Sequence, residues 1–370
     1  MDRRSFVARM AGTCLSCAVA QRACLQPAGA QDAVDFELPE GETALGVAPA
    51  RHYEELDEKK VICRLCPHEC VVADQERGYC GVRENRGGDY VTLVHGRVCA
   101  AHVDPIEKKP FFHVLPGTEA LSIATPGCNM ECRFCQNWQI SQFRPEQVAT
   151  TPAPPEGLLR MARQRKAPSI AYTYTEPTIF YEYVLDVARY TAPHGIHNLV
   201  VSNGFIQAAP LRELAPHLTA YKVDLKAYTE GFYREQCSAQ MRPVLDTLTR
   251  LRDLGLWTEI VVLIIPTLND DEKSNAAMFR WIVSELGADV PVHLSRFHPT
   301  YKIQNLPRTP IATLNRLHDA ARAAGLHYVY VGNAQGHPAE STYCPSCGAR
   351  LIERFGYLIG EIRLEDGACA

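Results

Sequence analysis

From Leu121 onward, short apolar runs recur at residues 121–124, 169–173, 198–202, 220–225, 258–265 and 292–297, with helical periodicity between them. Such alternation is the mark of successive strand–helix units whose strands lie parallel in one sheet. Thr178 to Tyr190 carries Ile179, Tyr183, Val187 and Tyr190 on one helical face, and Val244 to Leu254 carries Leu245, Leu248 and Leu251. A helix over 270–286 follows Asn269-Asp270 as its cap, and one over 310–324 stops at Gly325. These repeats predict an α/β fold, a partial (β/α)6 barrel, in which ligands gather at the C-terminal ends of the strands. A chain of 370 residues holds one such domain and small appendages.

The first strand end carries the most pointed chemistry. LSIATPGCNMECRFCQNWQI spans residues 121–140: an apolar run, a turn at Pro126-Gly127, then Cys128, Cys132 and Cys135. Three thiolates on one tight loop can ligate three irons of a cubane cluster, whereas a cluster held by protein alone takes four cysteines. One iron is then open to an exogenous ligand. Zinc ligands usually come instead as two separated Cys pairs. The other strand ends are polar as well. Glu176 follows the second run, Ser202, Asn203 and Gly204 end the third, Asp224 and Lys226 the fourth, and Arg296 and His298 the sixth. A single strand-end Asp or Asn is more often a turn former, but this many on one rim point to a ligand site.

Fifteen cysteines fall mostly in short-spaced groups, which suits metal ligation better than a disulfide framework. CRLCPHEC followed by Cys80 supplies Cys63, Cys66, Cys70 and Cys80, a closed set that fits structural zinc or an auxiliary 4Fe-4S cluster; spacing alone does not separate the two. His68 reads as a solvated loop residue. YVTLVHGRVCAAHVDP reads as a β-hairpin around His95-Gly96, with Cys99 in the core, completing a small Cys-rich β module over 52–115. Lys108 and Lys109 in the connector that follows read as solvated. Near the end, Cys344 and Cys347 form half of a zinc knuckle, with Cys369 as a candidate third ligand; a fourth is missing unless His337 or a partner supplies it, which leaves an incomplete site as one reading. The competing reading is an empty knuckle packed by Phe355 and Tyr357. Cys237, isolated in sequence, reads as a buried structural cysteine.

The N-terminus opens on Arg3-Arg4 and Phe6 and reaches Ala28-Gly29-Ala30, a small-residue cleavage pattern. Residues 1–31 therefore resemble a twin-arginine leader for export to the bacterial periplasm. The alternative is an uncleaved tail on a cytoplasmic protein, since Arg9 interrupts the apolar stretch. Cys14, Cys17 and Cys24 lie in this leader, and residues 32–51 read as a linker. No apolar run long enough to span a membrane follows. A net charge of -4 makes no electrostatic case for a nucleic-acid partner.

Beyond these readings, the Cys-x3-Cys-x-Phe-Cys motif, with Phe134 as its aromatic residue, resembles that of the radical SAM superfamily. SIAYTYTEPTIFYEY, VSNGF, VDLK, SRFHPTYK, YVYVGN and DPIEKKP together resemble the radical SAM component of the AmmeMemoRadiSam system, a branch near pyruvate formate-lyase activating enzymes. The resemblance covers about residues 60–365. It implies a triosephosphate-isomerase-type radical SAM barrel over 116–335, a Cys-containing tail over 336–370, and a 4Fe-4S cluster with S-adenosylmethionine (SAM) as cofactors. The implied reaction is reductive cleavage of SAM to a 5′-deoxyadenosyl radical, which abstracts hydrogen from an unidentified small molecule, peptide or RNA. The same resemblance implies that Glu176 holds the SAM amino group, and that Phe134, Ser202, Asn203, Asp224, Lys226 and His298 line the SAM site. It also implies a flavodoxin- or ferredoxin-like one-electron donor and a Memo-like partner. Two departures from that resemblance stand out: Thr267 stands where the family usually has glycine, and this sequence stops at Cys369-Ala370, where relatives continue through a second Cys-x2-Cys. Two other uses stay open, a glycyl-radical activase and a zinc-bearing interaction protein with a degenerate barrel; the intact triplet with Glu176 and Asp224 argues against the second.

Overall fold

The computed structural model describes residues 43–365 and 367–369. The leader expected over 1–31, with Cys14, Cys17 and Cys24, and the first part of the expected linker lie outside the described residues. The central sheet is built from β1 (Ala100–Pro105), β2 (Glu119–Ala124), β3 (Ser169–Tyr172), β4 (His197–Ser202), β5 (Ala220–Asp224), β6 (Trp257–Ile264), β7 (Val292–Arg296) and β8 (Val329–Gly332). Each strand pairs with its neighbour in chain order. Strands β2 to β8 run parallel, and β1 lies antiparallel on β2, with Ala100 opposite Ala124. The parallel strands are joined through α1 (Pro155–Gln164), α2 (Tyr181–Thr191), α3 (Ala208–Leu214), α4 (Met241–Asp253), α5 (Glu272–Leu286) and α6 (Ile311–Ala323).

Adjacent strand residues such as Leu199 and Val200, or Ala171 and Tyr172, are both buried, as a sheet covered on two faces requires. Helix α4 buries Leu245, Leu248 and Leu251, the stripe expected from sequence, and Val244 and Thr247 beside it. Helix α6 ends as expected before Gly325, whose φ of +104° is open to glycine at little cost.

Several expectations need correction. The parallel strands number seven rather than six, because Val329–Gly332 pairs in register with β7. Ile179 sits in a 3-10 turn ahead of α2, and Tyr190 remains 42% exposed instead of joining the core face. The cap of α5 is Asp271, whose side chain accepts from Ser274 N. Asn269 is instead buried and ties the loop after β5 to the end of β6, donating to the carbonyls of Lys226 and Leu263 while accepting from Ile265 N. Thr267 adopts φ +67°, a left-handed conformation that glycine takes more readily, and its N–H is held by Asp270.

No hairpin forms around His95-Gly96. Asp89–Thr92 pairs with Arg83–Arg86 and with Ala48–Pro49, whereas β1 leaves to become the edge of the central sheet. Alternation marks both segments as strands without naming their partners. Ala48–Pro49, expected in the linker, is therefore part of the module. A second small sheet joins Tyr53–Glu55, Val61–Cys63 and Val71–Val72. The module is fastened to α2 by a buried ion pair in which Arg83 donates to both Glu182 oxygens, at 3.0 and 2.9 Å.

Glu259 on β6 fastens the connector after β1. Its carboxylate accepts from Phe112 N, from His113 N at 2.9 Å and from His293 Nε2 at 2.7 Å, with no solvent exposure. Burial opposes ionisation, yet the His293 hydrogen bond and the charges and amide around it outweigh burial and hold this carboxyl well below its ordinary 4.5. A depressed folded-state pKa gives stability that is present above the ordinary value and is lost as pH falls below it. Glu259→Ala should cost about 3–5 kcal/mol, the usual loss when one member of a buried pair is removed. Thermal unfolding should also show a shallower acid limb than the parent; an unchanged midpoint at neutral pH would contradict this role.

Candidate active site

The loop after β2 is shaped by Gly127. Its φ is +101°, and a Cβ there would stand 2.7 Å from Val82 Cγ1 and 3.2 Å from the Cys80 carbonyl oxygen, so only glycine lets the loop meet the module. Gly127 N donates to Ile140 O, closing the loop onto the short helix Trp138–Ser141. Between these anchors Cys128, Cys132 and Cys135 line a cavity of about 780 Å³, a size typical of small-molecule sites. Phe134, Glu176, Ser202, Asn203, Asp224, Lys226 and His298 line the same cavity, so all the SAM-site residues named from sequence meet there. Lys222 and Asp224, Val261 and Leu263, and His293 and Ser295 also line it. Their alternation along β5, β6 and β7 makes one face of the sheet a wall of the cavity.

Each thiol has a neighbour. Cys128 Sγ accepts from Met130 N at 3.4 Å, and Asn203 Nδ2 lies 3.9 Å away. Cys135 Sγ is 3.2 Å from Ser141 Oγ. Burial pushes the Cys128 and Cys135 thiols up, whereas a hydrogen bond with Cys237 leads the causes that lower Cys132. Cys237, which looked isolated in sequence, thus sits beside the triplet. It ends a π-helical turn, Tyr233–Cys237, whose last carbonyls accept from Glu131 N and Arg133 N. A bound metal ion would reverse the upward shifts by taking the thiolate form.

Glu176 is 2% exposed and already engaged. Its carboxylate accepts from Thr178 N and Oγ1, from Ser202 Oγ at 2.7 Å and from Asn203 N at 2.8 Å. Three of those bonds fall on Oε1 and one on Oε2, so Oε2 keeps acceptor capacity for a ligand. The residue therefore organises the turn after β4, and Asn203 carries the contact onward by donating to Asn129 Oδ1 at 2.8 Å. Asp224 is similarly engaged: Lys222 donates to one oxygen and Lys226, at 3.0 Å, to the other. Burial would raise its pKa, but the two ammonium groups hold it down at about 2.

Sequence reasoning missed Lys222 and Asn129, which carry no motif of their own. It also misjudged Lys109 and His68. Lys109 is 4% exposed, donates to Asp104 Oδ2 at 2.5 Å and lines the cavity. Burial lowers its pKa to about 8 despite the Asp104 charge. Asp104 also accepts from Lys108 Nζ and from the Tyr174 hydroxyl, so the edge strand β1 delivers a charged cluster to the site. The alternating pattern of that segment gave no sign that it belonged to the central sheet. His68 is only partly exposed: its ring stacks on Tyr79 at 4.1 Å, and Nε2 lies 2.8 Å from Asn129 O.

The tail forms an antiparallel sheet of Thr342–Tyr343, Arg350–Phe355 and Leu358–Ile362. The ligand atoms of Cys344, Cys347 and Cys369 all lie within 4.8 Å of one another. Amides of Cys347 and Ser346 lower the Cys344 thiol to about 7. His337 does not join them, since its two ring nitrogens meet Asn315 Oδ1 and Ala339 N. Phe355 and Tyr357 do not fill the knuckle either; both are exposed, while Leu351, Ile352, Ile359 and Leu364 pack near the thiols.

Residues 122–279 match the radical SAM superfamily. The chain is 43% identical over 306 residues to an uncharacterized protein of Methanocaldococcus jannaschii, covering 83% of this chain and 91% of that one. A second uncharacterized protein of the same organism is 22% identical over 255 residues, 66% of this chain and 68% of its own. Among solved structures, a radical SAM methyltransferase from Sphaerobacter thermophilus is 15% identical, covering 82% of this chain and 80% of that one with a TM-score of 0.48. The chain belongs to the radical SAM superfamily. It is a radical SAM enzyme, with a 4Fe-4S cluster and SAM as cofactors.

The donor set fits those cofactors: three thiols on one loop for the iron, and a polar cavity beside them for a zwitterionic nucleoside. Glu176→Gln keeps the side chain's shape but replaces one acceptor with a donor facing N–H or O–H groups. SAM affinity should fall about tenfold to a hundredfold, the loss expected when a hydrogen bond to a charged group goes. Calorimetric titration, with iron counted in parallel, should show weakened binding at unchanged iron; an unchanged isotherm would place SAM elsewhere.

Proposed function

We propose that this enzyme reductively cleaves SAM to methionine and a 5′-deoxyadenosyl radical, which takes a hydrogen atom from a substrate bound in the same cavity. The observation that carries the reading is the convergence of Cys128, Cys132 and Cys135 with Glu176, Asn203 and Asp224 on one cavity. In this reading the three thiolates would hold three irons, leaving the fourth to the amino and carboxylate groups of SAM. The bound cluster supplies a one-electron reduction of the sulfonium, and radical SAM enzymes need an external reductant to recharge it. The chain's own residues position and exclude. Glu176 fixes the Ser202-Asn203 turn, whose Asn203 amide lies near Cys128. Lys222 and Lys226 keep Asp224 ionised, so a carboxylate is ready for the amino group or ribose hydroxyls of SAM. Phe134, 4% exposed, walls the loop against Phe232.

The cavity continues past the SAM residues to Glu107, Lys109, Tyr174, Glu340 and Tyr357, and this far end is read as the substrate side. The motifs through β3 to β8 support membership of the AmmeMemoRadiSam branch, with a Memo-like partner and a flavodoxin- or ferredoxin-class electron donor. The seven parallel strands are read as a partial (β/α) barrel. The N-terminal four-cysteine module favours modification of a metabolite, peptide or RNA over activation of a glycyl-radical enzyme, because activation does not call for such a module.

Anaerobically reconstituted enzyme given a strong reductant should convert SAM to 5′-deoxyadenosine, and Cys128→Ala, Cys132→Ala and Cys135→Ala should each bring this below detection. Chromatography of quenched reactions checks it. Parent-level turnover in any one of the three variants would overturn the assignment.

A further inference from the structure

Four more thiols meet on the N-terminal module. Cys63 ends the strand Val61–Cys63, Cys66 and Cys70 lie in the turn that follows, and Cys80 precedes Arg83–Arg86. The turn is tight: Cys63 N donates to Cys70 O, Glu69 N donates to Cys66 O, and Glu69 takes φ +44°. Tyr79 N donates to Cys70 Sγ at 3.4 Å, which fixes that thiol against the Gly78–Gly81 turn. No disulfide uses these sulfurs. Cys63 is buried and the other three are partly so. Four cysteines in one short segment, none of them in a disulfide, form a closed ligand set for a metal centre.

The spacing of the sulfurs identifies which. Zinc–sulfur bonds of about 2.3 Å in a tetrahedron set ligand sulfurs about 3.8 Å apart. A cubane carries its four ligand sulfurs on outer corners, about 6 Å apart. The tail supplies a yardstick within this same molecule: Cys344, Cys347 and Cys369 fall within 4.8 Å, with Cys347 and Cys369 at 3.6 Å, which is zinc-like spacing. Among the described residues that is the only trio so close, so no three of Cys63, Cys66, Cys70 and Cys80 are drawn in to the same degree. The module's sulfurs thus stand wider than the ligand set of a single zinc ion, and a cubane is the four-thiolate centre that takes a wider set.

We infer that Cys63, Cys66, Cys70 and Cys80 hold a second 4Fe-4S cluster, seated against the loop that carries Cys128. The contact between the two sites is direct. His68, between Cys66 and Cys70, lies 2.8 Å from Asn129 O, next to Cys128. The Cys80 carbonyl packs on Gly127, and one cleft is lined by both Cys80 and Cys128. A ferredoxin- or flavodoxin-class donor would reduce this second cluster by one electron, and the same electron would pass to the cluster at Cys128, with no bond made or broken and no proton moved at either centre. The relay rests on the proposed function; the metal site does not.

The test counts metal in the full chain after anaerobic reconstitution with iron, sulfide and zinc all supplied. The parent should hold about eight irons and eight sulfides, two cubanes' worth. The triple variant Cys128→Ser, Cys132→Ser, Cys135→Ser should keep about four irons and, once reduced, a 4Fe-4S electron paramagnetic resonance signal that SAM does not perturb. The double variant Cys66→Ser, Cys70→Ser should keep about four irons whose signal SAM still shifts. A triple variant holding one zinc and no iron, or no metal, overturns the inference while leaving the SAM site untouched. Should the triple variant not fold, the difference between parent and double variant reads the same quantity. A loss of about four irons supports the second cluster, and a loss of one zinc or of nothing refutes it.

Discussion

Three sulfurs on one loop must face a common point, and most of the surrounding structure serves that requirement. The loop can turn as it does only because Gly127 lets the backbone lie against Val82 and the Cys80 carbonyl. It is then held from three sides: by the Trp138–Ser141 turn, by Asn203 through Asn129, and by the π-helical carbonyls of Gln236 and Cys237. Three ligands from one short segment need such support, because a cluster held by three thiolates has one attachment fewer than a closed site.

The charges around the cavity follow one pattern. Glu176, Asp224 and Asp104 are each buried or partly buried, and each is matched by hydrogen-bond donors or ammonium groups already in place. A buried carboxylate without partners would take up a proton, since desolvation disfavours its charged form. Prearranged partners keep these groups fixed in position, so that a charged ligand meets a formed site. The cost is carried by the fold: Lys109 and Lys222 give up hydration to stay beside Asp104 and Asp224, and burial lowers the pKa of both lysines.

How far the sequence could be read depended on which interactions have a period or a motif. Six of the seven parallel strands and α4 emerged from their repeats, and the strand-end rule brought Glu176, Ser202, Asn203, Asp224, Lys226 and His298 to notice. The structure gathers these round one cavity. Pairing partners left no such trace. Ala100–Pro105 alternates like any hairpin strand, so its place on the central sheet, and with it the burial of Lys109, could not be foreseen. Asn129 and His68 act through backbone carbonyls and amides, which any polar residue can reach, so no residue type announced them. Cys237 looked alone because its neighbour, Cys132, lies about a hundred residues earlier in the chain.

The central claim is that three thiolates leave one iron free and that SAM takes it through its amino and carboxylate groups. Electron–nuclear double resonance on the reduced enzyme, frozen with SAM carrying ¹⁵N in the amino group and ¹⁷O in the carboxylate, reads that bond directly. The account predicts hyperfine coupling of both nuclei to the cluster, lost in Cys132→Ala. Bound SAM with neither coupling in the parent enzyme would contradict it.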